Sequence, residues 1–171
     1  MYICLIKSQL PYCNTSDAIK GYSDSPIAKS EKNDCVVRAI ASAFDLEYDI
    51  AHKFVADKFG RKPKQGTIGF GVGMNKISDD RTRIGRKCIN PMGKKPEYSN
   101  FYSLSYNVTV KGKRIKRQMT VGTFISKYPT GTYIITVKGH AFTIKNGVVI
   151  GNKGDSIQKR KIIVFAWKVG N

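Results

Sequence analysis

Apolar side chains in the first half of the chain recur at helical spacing. From Cys35 onwards they stand three and four residues apart, which predicts an amphipathic helix. They are Val36, Val37, Ala39, Ile40, Ala43 and Phe44. Asn33 and Asp34 precede this run, and both are residue types that favour a helix N-cap. The segment Asp45-Leu46-Glu47 is predicted to end the helix.

A second helix is predicted from Tyr48 to Phe59, and Gly60 is a natural residue for its C-terminal cap. Its inner face is predicted to carry apolar residues from each turn. These are Ile50, Ala51, Phe54, Val55 and Phe59.

The second half of the chain shows strand patterns. Asn146-Gly147 lies between two apolar runs and is a strong hairpin signal. Strands are predicted near 132–137, 140–144, 147–150 and 161–169, with an alternating run at 106–110 and a short helix from Val121 to Lys127. Helices first and antiparallel strands last indicate an α+β fold. We expect the helix that begins at Cys35 to pack on a sheet formed largely by residues 106–169.

The size of the chain fits one domain with its own core. It has 171 residues, of which 41% are hydrophobic. Residues 1–31 mix polar residues with proline and glycine, which predicts an N-terminal arm on the surface, and residues 32–171 are predicted to form a single domain. No apolar run approaches 18 residues, so we expect no membrane span. The apolar start Met1 to Ile6 is short and has no basic leader, so we expect a cytoplasmic protein and not an exported one.

Basic residues dominate the charge. Thirty Lys and Arg against twelve Asp and Glu give a formal net charge of +18, which predicts attraction to polyanions. Between Arg81 and Gln118 there are eleven basic residues and one acid, Glu97. The alternative is a solvated surface that only aids solubility. The candidate residues for nucleic-acid or anion binding are Arg81, Arg83, Arg86, Lys87, Lys113, Arg114, Lys116 and Arg117.

The cysteines do not predict a metal site. Cys4, Cys13, Cys35 and Cys88 form no CxxC pair, and the chain has only two histidines. Zinc ligands cluster more closely than this. We expect no metal and no cofactor, and thiols that stay reduced.

Cys35 is the exception, because it opens a helix. The helix dipole and the free N–H groups at this end favour a thiolate, and an imidazole that reaches it can take its proton. His140 is the candidate base, whereas His52 is expected on the surface. The alternative is that Cys35 is a small buried side chain and His140 a hydrogen-bonded core residue.

Four short segments carry a resemblance to a known family. They are Asn33-Asp34-Cys35, Arg38-Ala39, Gly131-Thr132-Tyr133 and Gly139-His140-Ala141. The pattern resembles the papain-like cysteine peptidase fold, and more narrowly the small papain-like domains of phages and bacteria. It covers residues 30–169.

The resemblance implies roles for particular residues. Cys35 would be the nucleophile and His140 the base, with Asn152 orienting the imidazole and Asp155 as the alternative. Papain-like enzymes commonly have Gln about six residues before the cysteine, where this chain has Lys29, so Asn33 with the Cys35 amide is expected to hold the oxyanion.

Two functions remain open at this point. The first is a thiol hydrolase or acyl transferase, in particular a cysteine peptidase or isopeptidase acting on a peptide or isopeptide. The second is a non-catalytic basic protein of phage type that binds nucleic acid or an acidic host protein. A phage-encoded protein would act in the host cytoplasm or in the virion.

Overall fold

The computed structural model describes residues 10–67, 105–156 and 158–169, and these form a mixed α+β fold as predicted. The elements of the N-terminal part are β1 (Tyr12–Asn14), α1 (Thr15–Ala18), α2 (Pro26–Ser30), α3 (Cys35–Phe44) and α4 (Tyr48–Phe59). Those of the C-terminal part are β2 (Ser105–Val110), β3 (Lys113–Gln118), α5 (Val121–Lys127), β4 (Thr132–Val137), β5 (His140–Lys145), β6 (Val148–Gly151), α6 (Lys153–Ser156), a 3₁₀ turn (Gln158–Arg160) and β7 (Ile163–Val169).

Five strands form the main sheet, in the order β1-β6-β5-β4-β7. The pairs β4–β5, β4–β7 and β5–β6 are antiparallel. The turn between β5 and β6 has positive φ at both Asn146 (49°) and Gly147 (77°), which confirms the hairpin predicted there. The four predicted strands are therefore present: β4 has the predicted bounds, and the other three have ends shifted by one or two residues.

The segment predicted as a surface arm contributes to this sheet. β1 pairs with β6 in parallel, so the sheet is mixed, whereas an antiparallel one was predicted. Thr15 and Ile19, which follow β1, are buried at 1% and 4% exposure. Residues 10–31 are thus attached to the domain by backbone pairing and by burial.

Helices cover one face of the sheet and a second apolar cluster covers the other. Val37 and Ile40 of α3 are fully buried and share a cluster with Ile134 and Ala141 of the sheet. Ile135, the neighbour of Ile134, belongs instead to the opposite cluster. This division follows from the alternation of side chains along a strand.

The α4 helix has the predicted bounds, and Gly60 ends it in the left-handed conformation with φ of 63°. The prediction that Ile50 lies on the inner face of α4 is wrong, because this side chain is 52% exposed. Tyr48, Ala51 and Val55 are the buried residues of this helix, and each is fully buried.

The β2 and β3 strands form a separate two-stranded sheet, whereas residues from 106 onwards were expected in the main one. All six residues of β3 are exposed. Basic side chains on both faces of the strand explain this, since neither face can be buried without a large desolvation cost. Arg81, Arg83, Arg86 and Lys87 lie outside the described residues, as do Cys4 and Cys88.

Among the helices of the described ranges, none combines the length and apolar character needed to cross a membrane.

Candidate active site

Cys35 is the first residue of α3, where the backbone N–H groups of the first turn have no partner within the helix. Asp34 stands at the N-cap, but its side chain does not cap the helix. The Asp34 carboxylate instead accepts hydrogen bonds from Arg38 Nε and from the Tyr48 hydroxyl, both at 2.9 Å. The N–H groups of the first turn are therefore available to stabilise negative charge at or near the Cys35 sulfur.

His140 is the first residue of β5 and follows a turn at Gly139, where φ is 74°. The structure brings His140 to Cys35, from which it is separated by most of the domain sequence. The imidazole lies beside the Cys35 thiol, close enough for each group to shift the pKa of the other, and the backbone of Ala141 also interacts with the sulfur. The two residues that sequence reasoning paired thus meet at the edge where α3 begins and β5 begins.

Asp155, on the short α6 helix, holds the other side of the imidazole. His140 Nε2 lies 2.6 Å from Asp155 Oδ1, and Asp155 Oδ2 accepts the backbone N–H of Asn152 at 2.8 Å. The prediction that Asn152 orients His140 is therefore corrected to its alternative, Asp155. The Asn152 side chain points elsewhere, and its Oδ1 accepts a hydrogen bond from the Thr15 hydroxyl at 3.2 Å.

These contacts change the pKa of each group in a consistent direction. The hydrogen bond to Asp155, followed by the one to Cys35, raises the pKa of His140 to about 9. Burial opposes ionisation of Cys35, but the hydrogen bonds from His140 and Ala141 and the positive charges of His140 and Arg38 outweigh it and lower the pKa of the thiol. Burial likewise opposes ionisation of Asp155, and the contact with His140 overcomes it and lowers that pKa. The arrangement therefore favours the thiolate of Cys35 and the imidazolium of His140 over the states that the isolated groups would have.

A cleft of about 820 Å³ opens beside the thiol and the imidazole. Its walls combine apolar side chains with Arg38 and Lys138. It is lined by Asn33, Cys35, Val36, Arg38, Gly66, Thr67, Thr136, Val137, Lys138, Gly139, His140, Ala141, Val164 and Phe165. Within the described residues, the buried Thr136 hydroxyl has no hydrogen-bond partner, so a polar group is available on the cleft wall.

Asn33 lines the same cleft, but its side chain has a different partner. Asn33 is exposed, its φ is 55°, and its Nδ2 donates a long hydrogen bond of 3.5 Å to the Lys64 carbonyl. Its role at an oxyanion therefore stays a prediction. Lys29, at the position where papain-like enzymes commonly have Gln, is exposed on α2.

A buried ion pair just before the nucleophile was not anticipated from the sequence. Glu31 Oε2 lies 2.6 Å from Arg61 Nη2 and accepts the backbone N–H of Lys64 at 2.8 Å, while Oε1 lies 3.0 Å from His52 Nε2. His52 was expected on the surface, and the structure instead buries it partly against Glu31 and Arg61. Burial opposes ionisation of Glu31, but its contacts, led by Arg61, lower its pKa to about 2. The cluster fixes residues 61–64 beside the segment that leads into Cys35.

Within the described ranges, no group of three or more His, Cys, Asp or Glu side chains is placed to hold a metal ion. Compared with protein-family models, with curated proteins and with solved structures, the chain shows no significant match.

Proposed function

We propose that this protein is a thiol hydrolase or acyl transferase of papain-like type, in particular a cysteine peptidase or isopeptidase. The observation that carries the proposal is that Cys35 and His140 meet at the edge of an open cleft, where Asp155 holds the imidazole by a hydrogen bond. A nucleophile, a base and a residue that orients the base are the three parts that such chemistry requires.

In the proposed reaction, the Cys35 sulfur attacks the substrate carbonyl carbon. His140 gives its proton to the leaving amine, and the C–N bond breaks to leave a thioester on Cys35. His140 then takes a proton from water or from an acceptor amine, which attacks the thioester and restores the thiolate. Asp155 keeps the imidazole oriented and stabilises its positive charge throughout.

The surroundings of the thiol supply the remaining requirements. The Cys35 N–H and its neighbours in the first turn of α3, which have no partner within the helix, are the candidate donors to an oxyanion. Asn33 is the candidate for a second donor, because it lines the cleft and its present hydrogen bond to Lys64 is long. The unpaired Thr136 hydroxyl is a candidate partner for a substrate amide.

An activated ester tests this proposal without knowledge of the natural substrate. p-Nitrophenyl acetate acylates a competent thiolate–imidazolium pair, so we expect rapid release of nitrophenol, a thioester on Cys35 by mass spectrometry, and its hydrolysis in further turnovers. Cys35→Ser should abolish the thioester, whereas Cys13→Ser, which removes the other described free thiol, should leave it unchanged. Acetylation spread over several side chains at comparable rates, or no acetylation of Cys35, would overturn the proposal.

A further inference from the structure

The hairpin formed by β2 and β3 carries a concentration of positive charge that the proposed hydrolase site does not use. Four of the five residues from Lys113 to Arg117 are basic, with Ile115 between them. All are exposed, and none of these four side chains has an ion-pair partner among the described residues.

The pairing register places this charge on both faces of the ribbon. Lys113 and Arg117 share one face, and Arg114 and Lys116 share the other, because side chains alternate along a strand. Arg114 and Lys116 are separated by about 6.7 Å along the strand, and Lys113 and Arg117 by about 13 Å, with Ile115 between them on the same face. Their cross-strand partners on β2 are uncharged, namely Val110 and Tyr106 on the first face and Thr109 and Asn107 on the second.

Charge on both faces fits an anionic groove better than a flat anionic surface. A flat partner, such as an acidic protein, would meet only one face and leave the other in solvent. The major groove of DNA is about 12 Å wide, admits a two-stranded β-ribbon, and has a row of phosphates along each wall. Each face of the ribbon would then meet one phosphate row.

We propose that the β2–β3 hairpin binds double-stranded DNA by entering its major groove, with Lys113 and Arg117 on one phosphate row and Arg114 and Lys116 on the other. The net charge of +18 supports this by attracting the whole protein to a polyanion. The inference is independent of the chemistry at Cys35, and the variants below leave that site intact.

The test measures fluorescence anisotropy of a labelled DNA duplex of about two helical turns at salt concentrations between about 50 and 200 mM. Two variants remove equal charge from opposite faces of the hairpin: Lys113→Gln/Arg117→Gln and Arg114→Gln/Lys116→Gln. The matched control is Lys53→Gln/Lys58→Gln, which removes the same charge from two exposed positions of α4. Circular dichroism verifies that each variant is folded.

We expect each hairpin variant to bind DNA at least about tenfold more weakly than the control, with a salt slope reduced by about two, since each neutralised phosphate contributes about 0.9. We also expect a duplex RNA of the same sequence to bind at least about tenfold more weakly than DNA, because the major groove of RNA is too deep and narrow for the ribbon. A heparin fragment, which has negative charge but no such groove, should likewise bind at least about tenfold more weakly than DNA. Hairpin variants that match the control would overturn the proposal. A loss confined to one face would indicate a flat anionic partner, and equal binding of DNA, RNA and heparin would indicate unspecific charge attraction; either result would also overturn it.

Discussion

His140 Nε2 lies 2.6 Å from Asp155 Oδ1, and this contact defines how the imidazole meets the thiol. With Nε2 engaged by the carboxylate, Nδ1 is the ring nitrogen left to face Cys35. Asp155 is itself fixed by the Asn152 N–H, so the imidazole is oriented by a group that cannot move freely. The buried negative charge of Asp155 favours the protonated ring, and the protonated ring in turn favours the thiolate.

The first prediction concerns the titration of His140. Its ring protons, followed by NMR, should titrate with a pKa of about 9, and Asp155→Asn should lower this value because the charge that stabilises the imidazolium is lost. Only two histidines are present, so His52→Gln assigns the signals. An unshifted His140 in the wild type, near the ordinary value of about 6.5, would contradict this account.

The second prediction uses two glycines close to Asp155. A Cβ on Gly151 would lie 2.9 Å from Asp155 Cγ, whereas a Cβ on Gly154 would meet nothing within 4 Å. Gly151→Ala should therefore displace the carboxylate, lower the pKa of His140 and slow acylation of Cys35 by about 10²-fold, the lower end of what a positioned acid or base contributes. Gly154→Ala is the matched control and should leave both properties near wild type.

Comparable acylation rates in the two glycine variants would show that the position of Asp155 does not matter. Crystallography or NMR of the Gly151→Ala protein would show directly whether the carboxylate has moved.

At this site the sequence predicted the nucleophile and the base, but not which residue orients the base. Cys35 and His140 were identifiable because a cysteine at a helix start and a histidine after a glycine turn are chemically distinctive. Asn152 is what the resemblance to papain-like enzymes implies, because it is the amide that follows the strand after His140. The structure selects Asp155 because the short α6 helix turns the chain back after Gly151, and one helical turn brings residue 155 under the imidazole. A four-residue helix that contains one glycine and closely follows another has no periodicity from which this position could be predicted.

The spacing of apolar residues predicted the helices and strands, but it did not predict which distant segments pair with each other. The bounds of α4 follow from its apolar spacing and from Gly60. The pairing of β1 with β6 joins segments far apart in sequence, and a three-residue strand carries too little pattern to indicate a partner. The exposure of Ile50 has the same cause, since which face of α4 is buried depends on where α3 lies.

The third prediction concerns the buried ion pair of Glu31 and Arg61, whose side chains are 3% and 0% exposed. Arg61→Met leaves the Glu31 carboxylate buried without its main partner, so we expect the free energy of unfolding to fall by about 3–5 kcal/mol. Glu31→Gln/Arg61→Met removes both charges and should recover part of this loss. Urea denaturation measures both, and equal losses in the two proteins would show that pairing of the charges is not what matters.

The fourth prediction is the acid dependence of the same pair. The pKa of Glu31 is lowered from 4.5 to about 2, so its contribution to stability is complete above pH 4.5 and is lost as the pH falls through about 2. Over that interval the melting temperature of the wild type should fall more steeply than that of Glu31→Gln. Parallel curves would contradict a charged Glu31 in the folded protein.

The fifth prediction concerns Tyr48, whose buried hydroxyl donates to Asp34 Oδ2 at 2.9 Å. Tyr48→Phe removes this donor from a buried carboxylate, which should cost about 1.5–3 kcal/mol of stability, the range for hydrogen bonds to charged groups. Denaturant unfolding measures the change. A loss below about 0.5 kcal/mol would show that Arg38 alone satisfies Asp34.

His140 lowers the pKa of the Cys35 thiol, and the proposed chemistry depends on this effect. The most direct measurement is the rate at which iodoacetamide alkylates Cys35 as a function of pH, followed by mass spectrometry of the peptide, with Cys13 of the same molecule as the internal reference. We expect Cys35 to react much faster than Cys13 at pH values well below the ordinary thiol pKa of about 8.5, and we expect His140→Ala to return it to the profile of an ordinary thiol. Reaction of Cys35 no faster than Cys13 below pH 7, or a profile unchanged in His140→Ala, would contradict the account.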